Sequence, residues 1–300
     1  EKEILISTAV KPEQTELVEQ CVVQRARAMY HLGYDYTYTG VQFMFFPTKE
    51  RPATQTTEGS RSYQTAELKT ITNWEEFEKY PWPKVSELNF SPYDILDKKL
   101  PDGMKIIGSF SGIFENVLWL LGYEGICYMM YEDEKLVKAV FDKVGNILLE
   151  YFDVLATYAS VGAMSVGDDR GFKTQTLLPP DFMRKYVTPW DTELNKRMHK
   201  AGKPVILHSC GQLTAIMDDI IGAGYDAKHS FEDVIEPVWD LKKRYGSRIA
   251  LFGGFDMDKL VRMSEEEVRR HTRALIEKCA PGGGWALGSG NTIANYVPLN

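Results

Sequence analysis

PVILHSCGQL, residues 204–213, is a short run of β-branched and apolar residues that ends on a histidine and a cysteine two positions apart. Four apolar residues in succession leave no polar face, so a strand here belongs in a sheet covered on both sides. If the chain stays extended past Leu207, His208 and Cys210 project to one side and Ser209 to the other. Polar residues thus collect just beyond the strand's carboxyl end. The same thing happens elsewhere in the second half of the chain. Ala163–Val166 runs into Gly167-Asp168-Asp169, and Asp226–His229 is followed by Glu232. Ile249–Phe252 leads to Gly253-Gly254-Phe255-Asp256, and Trp285–Leu287 to Gly288-Ser289-Gly290-Asn291.

Helical stretches separate these runs. One spans Pro180 through Ala201, opened by Pro179-Pro180-Asp181 and closed by Gly202; another covers Leu213–Ala223 and stops at Gly224. A third covers Val234–Tyr245, and a fourth Ser264–Cys279, where Ser264 and Glu267 have capping-box spacing. Short strands alternating with helices of several turns indicate parallel βαβ units. No GxGxxG follows a strand, whereas several strand ends carry polar residues, which favours a (β/α)8 TIM barrel over a Rossmann sheet.

The first half is less regular. Helix is expected over Glu13–Leu32, an aromatic strand-like run over Asp35–Phe46, a polar irregular excursion over Thr48–Arg61 and a short helix over Trp74–Tyr80. Lys105–Ser109 reads as a strand, followed by a long helical region from Phe114. The strand candidates come to about seven, so an eighth is irregular or lies outside the chain. The expectation is a single TIM-barrel domain over 1–300, with residues 1–100 forming a helix and mouth-covering segments and residues 101–300 the regular βα units.

Composition narrows the function. The 300 residues are 44% hydrophobic and 26% charged, with a net charge of −7 and scattered basic residues. Nothing in that pattern would neutralise nucleic-acid phosphates. No apolar run reaches the roughly 18 residues of a membrane helix; Phe110–Met130 is interrupted by Glu115 and Glu124 and reads as buried helix. Four widely separated cysteines, Cys21, Cys127, Cys210 and Cys279, make no disulfide framework, and a cytoplasmic location is expected. The charged start Glu1-Lys2-Glu3 is unlike a secretory leader, and without an initiator methionine the native chain is expected to begin upstream.

His208 and Cys210 have the chemistry of two zinc ligands, which would need a third from another strand; the alternative is a buried cysteine packed beside a hydrogen-bonded histidine. Asp168 and Asp169 suit proton transfer, substrate orientation or support of a metal ligand. Their alternative is a helix cap with an ion pair to Arg170 or Arg184. His229 and Glu232 are further candidates for a base or a third ligand, or a satisfied loop pair. Asp256 reads as a turn cap on the same rim, Cys279 as structural, and His31, His199 and His271 as surface or packing residues. The aromatic run 34–46 reads as core, with Tyr36 and Tyr38 able to line the mouth.

Taken in order, IIGSFSGIFENVLWLLGYEG (106–125), VGDDRGF (166–172), Pro189-Trp190, VILHSCGQL (205–213), GYDAKH (224–229), ALFGGFDMDKL (250–260) and GSGNTI (288–293) make the chain resemble the uroporphyrinogen decarboxylase superfamily from about Trp74 to Val297. The resemblance is strongest to its corrinoid-dependent, zinc-containing methyltransferases. It implies a TIM barrel and a zinc site that uses His208 and Cys210, the HxC pair. It also implies methyl transfer between a corrinoid (methylcobalamin) on a partner corrinoid protein and a small thiol, ether or amine. The family's third zinc ligand is a cysteine near the last strand, where this chain has Ser289; Glu232, Asp168 or Asp169 would take its place. Asn291 and Asp256 share the expected rim. The decarboxylases of the superfamily carry an RQAGR-type segment and a histidine near position 289, and this sequence has neither. A barrel that binds a corrinoid or small molecule without catalysis is the remaining alternative.

Overall fold

The computed structural model describes residues 15–41, 46–48, 53–56, 59–62, 69–293 and 297, with backbone only at 15–17, 53–56 and 59–62. The chain divides into two compact units, Glu1–Ser165 with Lys196–Lys203, and Val166–Asn195 with Pro204–Asn300.

In the first unit, α1 (Thr15–His31) precedes β1 (Tyr36–Thr39), and β2 (Ala53–Thr56) pairs antiparallel with β3 (Gly59–Ser62). Then come α2 (Trp74–Lys79), α3 (Ser91–Lys99), β4 (Lys105–Ser111), α4 (Ile113–Leu121), α5 (Tyr123–Glu132), α6 (Glu134–Thr157) and β5 (Val161–Gly167), the last two residues of which belong to the second unit. β1 runs parallel to β4, with Tyr36 opposite Lys105 and Thr39 opposite Gly108. Alternation along β1 buries Thr37 and Thr39 and leaves Tyr36 and Tyr38 partly exposed. The aromatic strand expected to reach Phe46 is therefore four residues long, and residues 42–45 lie outside the described ones. The excursion expected at 48–61 is likewise described only in part, as β2 and β3. The long helical region after Phe114 is three helices, separated at Gly122 and at Asp133, whose carboxylate accepts the Leu136 N–H and caps α6. On α6, Val137, Val140, Phe141, Val144, Leu148 and Phe152 are fully buried at helical spacing. Each such side chain contributes roughly 1.5–3 kcal/mol.

The second unit holds α7 (Pro180–Tyr186), most of α8 (Thr188–Lys200), β6 (Val205–His208), α9 (Met217–Gly222), β7 (Ala227–His229), α10 (Val238–Tyr245), β8 (Ala250–Phe252), α11 (Met257–Arg262), α12 (Glu265–Cys279) and β9 (Trp285–Ala286). β6, β7, β8 and β9 pair in parallel in chain order. Over the two units, seven strands, β1 and β4 to β9, are parallel-sheet strands of an α/β fold. No further parallel strand occurs among the described residues, in keeping with the strand count from the sequence.

The single helix expected over 180–201 breaks at Val187, since Pro189 lacks an N–H and is tolerated only in the first turn of α8. Pro237 acts in the same way at the N-cap of α10, so that helix starts four residues later than its apolar pattern suggests. The segment after Leu213 is a 3-10 turn, Thr214–Ile216, followed by the short α9. α12 has the expected capping box, with Ser264 N–H donating to Glu267 Oε2 at 2.9 Å. Cys279 ends that helix fully buried, and Cys21, Cys127, Cys210 and Cys279 are all free thiols. No helix among the described residues is long and apolar enough to cross a membrane.

Candidate metal centre

The ends of β5 and β6 are joined by the Asp168 N–H, which donates to the His208 carbonyl at 2.8 Å. β6 pairs with β7 so that His208 lies opposite His229, and the Ser209 N–H carries the ladder on to the His229 carbonyl at 2.7 Å. The chain is still extended at this point. Ser209 therefore faces into the protein, fully buried, where its Oγ accepts the Arg170 N–H, and Cys210 emerges on the side of His208. At Gly211 the chain turns with φ +80°, and a Cβ there would stand 2.3 Å from the Gly171 carbonyl carbon. Only glycine lets the loop after β5 lie against this turn. The Gln212 N–H, donating to the Phe172 carbonyl at 2.7 Å, closes the contact.

That contact sets Asp169 beside Cys210. Asp169 Oδ1 accepts the Cys210 N–H at 2.7 Å, and a donor atom each from Asp169, His208 and Cys210 lies within 4.8 Å of the others. His208 Nε2 is 3.7 Å from Cys210 Sγ. Asn291 Nδ2 donates to that sulfur at 3.3 Å, and the sulfur lies 3.8 Å from Ser230 Oγ. His208 Nδ1 is 2.7 Å from His229 Nδ1, and His229 Nε2 is 3.0 Å from the Ser289 carbonyl oxygen. Burial pushes the Cys210 thiol up to about 12, with the Asp169 carboxylate adding to it. Burial, then the neighbouring His229, pushes His208 down to about 4. Nitrogen, sulfur and carboxylate oxygen together form a donor set consistent with zinc.

The other rim residues are placed as follows. Asp168 is fully buried, and its carboxylate accepts from Arg170 Nη2 at 2.6 Å; Arg170 also donates to Asp191 at 2.7 Å, and the Tyr225 hydroxyl to Asp191 at 2.9 Å. This is the ion-pair alternative read for the aspartate pair, and it involves Arg170; Arg184 pairs with Asp181 and Asp219 instead. Glu232 is not grouped with His208 and Cys210. It lines a small cavity of about 20 Å³ together with Gln212, Lys228 and Ser230. Asp256 caps α11 and also accepts the Asp233 N–H at 2.8 Å. Ser289 takes part through its backbone carbonyl, and Asn291 through its amide on the sulfur. His271 packs against Phe255 and Trp239.

Four residues near the centre went unnoticed in the sequence: Lys228, Ser230, Asp191 and Tyr225. The legible signal was Lys228, a lysine between Ala227 and His229 in a strand otherwise suited to burial. Its Nζ donates to the Ser230 carbonyl and lies 4.1 Å from the centroid of the Phe231 ring. Asp191 and Tyr225 lie on helical and turn segments whose pattern carries no sign of an ion pair.

Among solved structures, the chain is similar to a methyltransferase from Methanosarcina mazei, with a TM-score of 0.67 at 15% identity over 99% of this chain and 86% of that one. It also matches D-psicose 3-epimerase from Clostridium cellulolyticum H10, at TM-score 0.43 and 10% identity over 96% of this chain and 83% of that one. A xylose isomerase-like TIM barrel protein from Mycobacterium smegmatis matches at TM-score 0.41 and 11% identity, over 93% and 85%. No curated protein matches the chain. The first likeness shows a shared fold. The model of the family described as Uroporphyrinogen decarboxylase (URO-D) matches residues 60–300, and with most of its length covered the chain belongs to that family.

Proposed function

We propose that this chain is a zinc-dependent methyltransferase that moves a methyl group between a corrinoid on a partner protein and a small thiol, ether or amine. The convergence of Asp169, His208 and Cys210 carries the reading. A tetrahedral zinc with bonds of about 2.0 Å to nitrogen and 2.3 Å to sulfur has an N–S edge of about 3.5 Å. The 3.7 Å between His208 Nε2 and Cys210 Sγ fits that edge. Three protein donors leave a fourth position for a substrate heteroatom, as a catalytic site needs. Zinc held there supplies Lewis-acid polarisation of that heteroatom.

The protein's own groups have separate parts in this reading. Asp169 is oriented by the Cys210 N–H on one oxygen and keeps a second oxygen for the cation. Asn291 places an N–H on the Cys210 sulfur and favours its thiolate. Asp168 holds the loop through Arg170 and keeps Asp169 in place. A closed (β/α)8 barrel belongs to the same reading, with the rim open to the corrinoid partner. Membership of the decarboxylase family and the fold shared with an archaeal methyltransferase support it.

The family's name favours a second reading, decarboxylation of a porphyrinogen. The convergence of a thiol, an imidazole and a carboxylate suits a cation, which favours the methyltransferase reading over this one. Metal analysis of purified protein, combined with methyl transfer from methylcobalamin to a panel of thiols, separates the two. About one zinc per chain is expected, lost in both His208→Ala and Cys210→Ala, together with cobalt-linked absorbance changes on thiol addition. Carbon dioxide release from a porphyrinogen, with metal content unchanged in both variants, would replace the methyltransferase reading.

A further inference from the structure

His229 lies outside the donor cluster and yet touches it. Its ring centroid is 4.9 Å from that of His208, with Nδ1 of one ring 2.7 Å from Nδ1 of the other. The far nitrogen, Nε2, is 3.0 Å from the Ser289 carbonyl oxygen. A carbonyl oxygen only accepts, so His229 Nε2 carries the hydrogen. A neutral imidazole has one N–H, which makes His229 Nδ1 a bare acceptor. The hydrogen in the 2.7 Å contact then comes from His208 Nδ1. His208 Nε2 is left with its lone pair, and this is the nitrogen that faces Cys210 Sγ.

The backbone is built around this chain of bonds. Ser289 is held by a parallel bridge to Phe255, and the Phe255 N–H donates to the Gly288 carbonyl at 3.0 Å. Gly253, at φ +93°, clears the space between the two partners. A Cβ there would stand 2.5 Å from the Ser289 oxygen and 2.9 Å from His229 Cδ2. Any larger residue at 253 would push the carbonyl and the ring apart.

We propose that His229, anchored by the Ser289 carbonyl, is a positioning residue that locks His208 in its Nδ1–H tautomer and aims the Nε2 lone pair at the cation. Metal-bound histidines commonly donate their second N–H to a carboxylate, carbonyl or water. Here a neutral imidazole takes that place, so no negative charge is added beyond Cys210 and Asp169. Ser289 enters through its backbone carbonyl, and the third donor is Asp169.

The proposal rests on the metal reading of the centre, and its test separates the two. In metal-free full-length protein labelled with 15N-histidine, long-range proton–nitrogen correlation spectra report which ring nitrogens carry hydrogen. His208 is expected as Nδ1–H and His229 as Nε2–H. His229→Phe keeps ring volume and removes both nitrogens; it should scramble the His208 tautomer and weaken cobalt(II) binding by about 10–100-fold, read from the thiolate-to-cobalt absorbance. His229→Gln, whose carbonyl still accepts, should recover part of the affinity. Cobalt binding by a wild-type protein with His208 as Nε2–H, or unaltered binding in His229→Phe, overturns the positioning role alone. A wild-type protein that binds no cobalt overturns the metal reading and this proposal with it.

Discussion

Lys228 is the middle residue of β7, opposite Leu207 on one side and Leu251 on the other, and only 4% of it is exposed. Among the described residues its ammonium meets the Ser230 carbonyl and the face of Phe231, with no carboxylate in hydrogen-bond contact. Burial pushes its pKa down from 10.5 to about 8. The unfolded chain therefore holds this proton to higher pH than the folded one. Folding bears the full cost of the buried charge below about pH 8, and stability recovers as pH rises from 8 towards 10.5. The shift corresponds to a cost on the order of 3 kcal/mol at neutral pH. Lys228→Met removes the charge and keeps the stem. The variant should be more stable than wild type at pH 7 in urea unfolding, and the advantage should shrink by pH 10. An advantage independent of pH would show that packing, not charge, sets the difference. A chain that keeps so costly a group at the edge of the Cys210 site fits the expectation that functional sites trade stability for chemistry.

At the scale of elements, the loop after β5 is tied to α8 by Arg170. Its guanidinium bridges Asp168 and Asp191, and all three side chains are at most 3% exposed. Removing the cation takes the counter-charge from two buried carboxylates, which costs about 3–5 kcal/mol. Arg170→Met should unfold at markedly lower urea concentration, while Arg170→Met combined with Asp168→Leu and Asp191→Leu should regain much of the loss. A single variant as stable as wild type would show that the network is not what holds this loop to α8. The sequence makes the strands of this unit legible, because each is a short apolar run between glycines and polar residues. Asp168 and Asp169, adjacent in the chain, were not separable in the same way. One turns into the Arg170 pair and the other towards Cys210, a division made by the pleat and by the Gly171–Gly211 contact. Element boundaries escaped where proline intervened, at Pro189 and Pro237.

For the whole molecule, short apolar runs alternating with helices carried the α/β reading, since buried parallel strands announce themselves by unbroken apolar runs. Asp169 was one of three candidates for the third member, and the sequence could not choose among them, because Asp169, His208 and Cys210 meet only when two strand ends 40 residues apart are aligned by the Asp168 to His208 bond. This dependence on the fold makes a thermodynamic prediction. The unfolded chain does not hold the three donors together, so a cation they bind stabilises the folded state by mass action. Free zinc at 100 times its dissociation constant adds about 2.7 kcal/mol. For a chain of this size that raises the melting temperature by roughly 4 °C. Thermal scans of chelator-treated protein, with and without zinc, should show the rise in wild type and its absence in His208→Ala and Asp169→Ala. Amide exchange should slow on zinc addition within residues 166–195 and 204–300, which contain every donor. A rise of equal size in both variants would place the zinc elsewhere on the surface, and no rise in wild type would remove the metal from the account of this site.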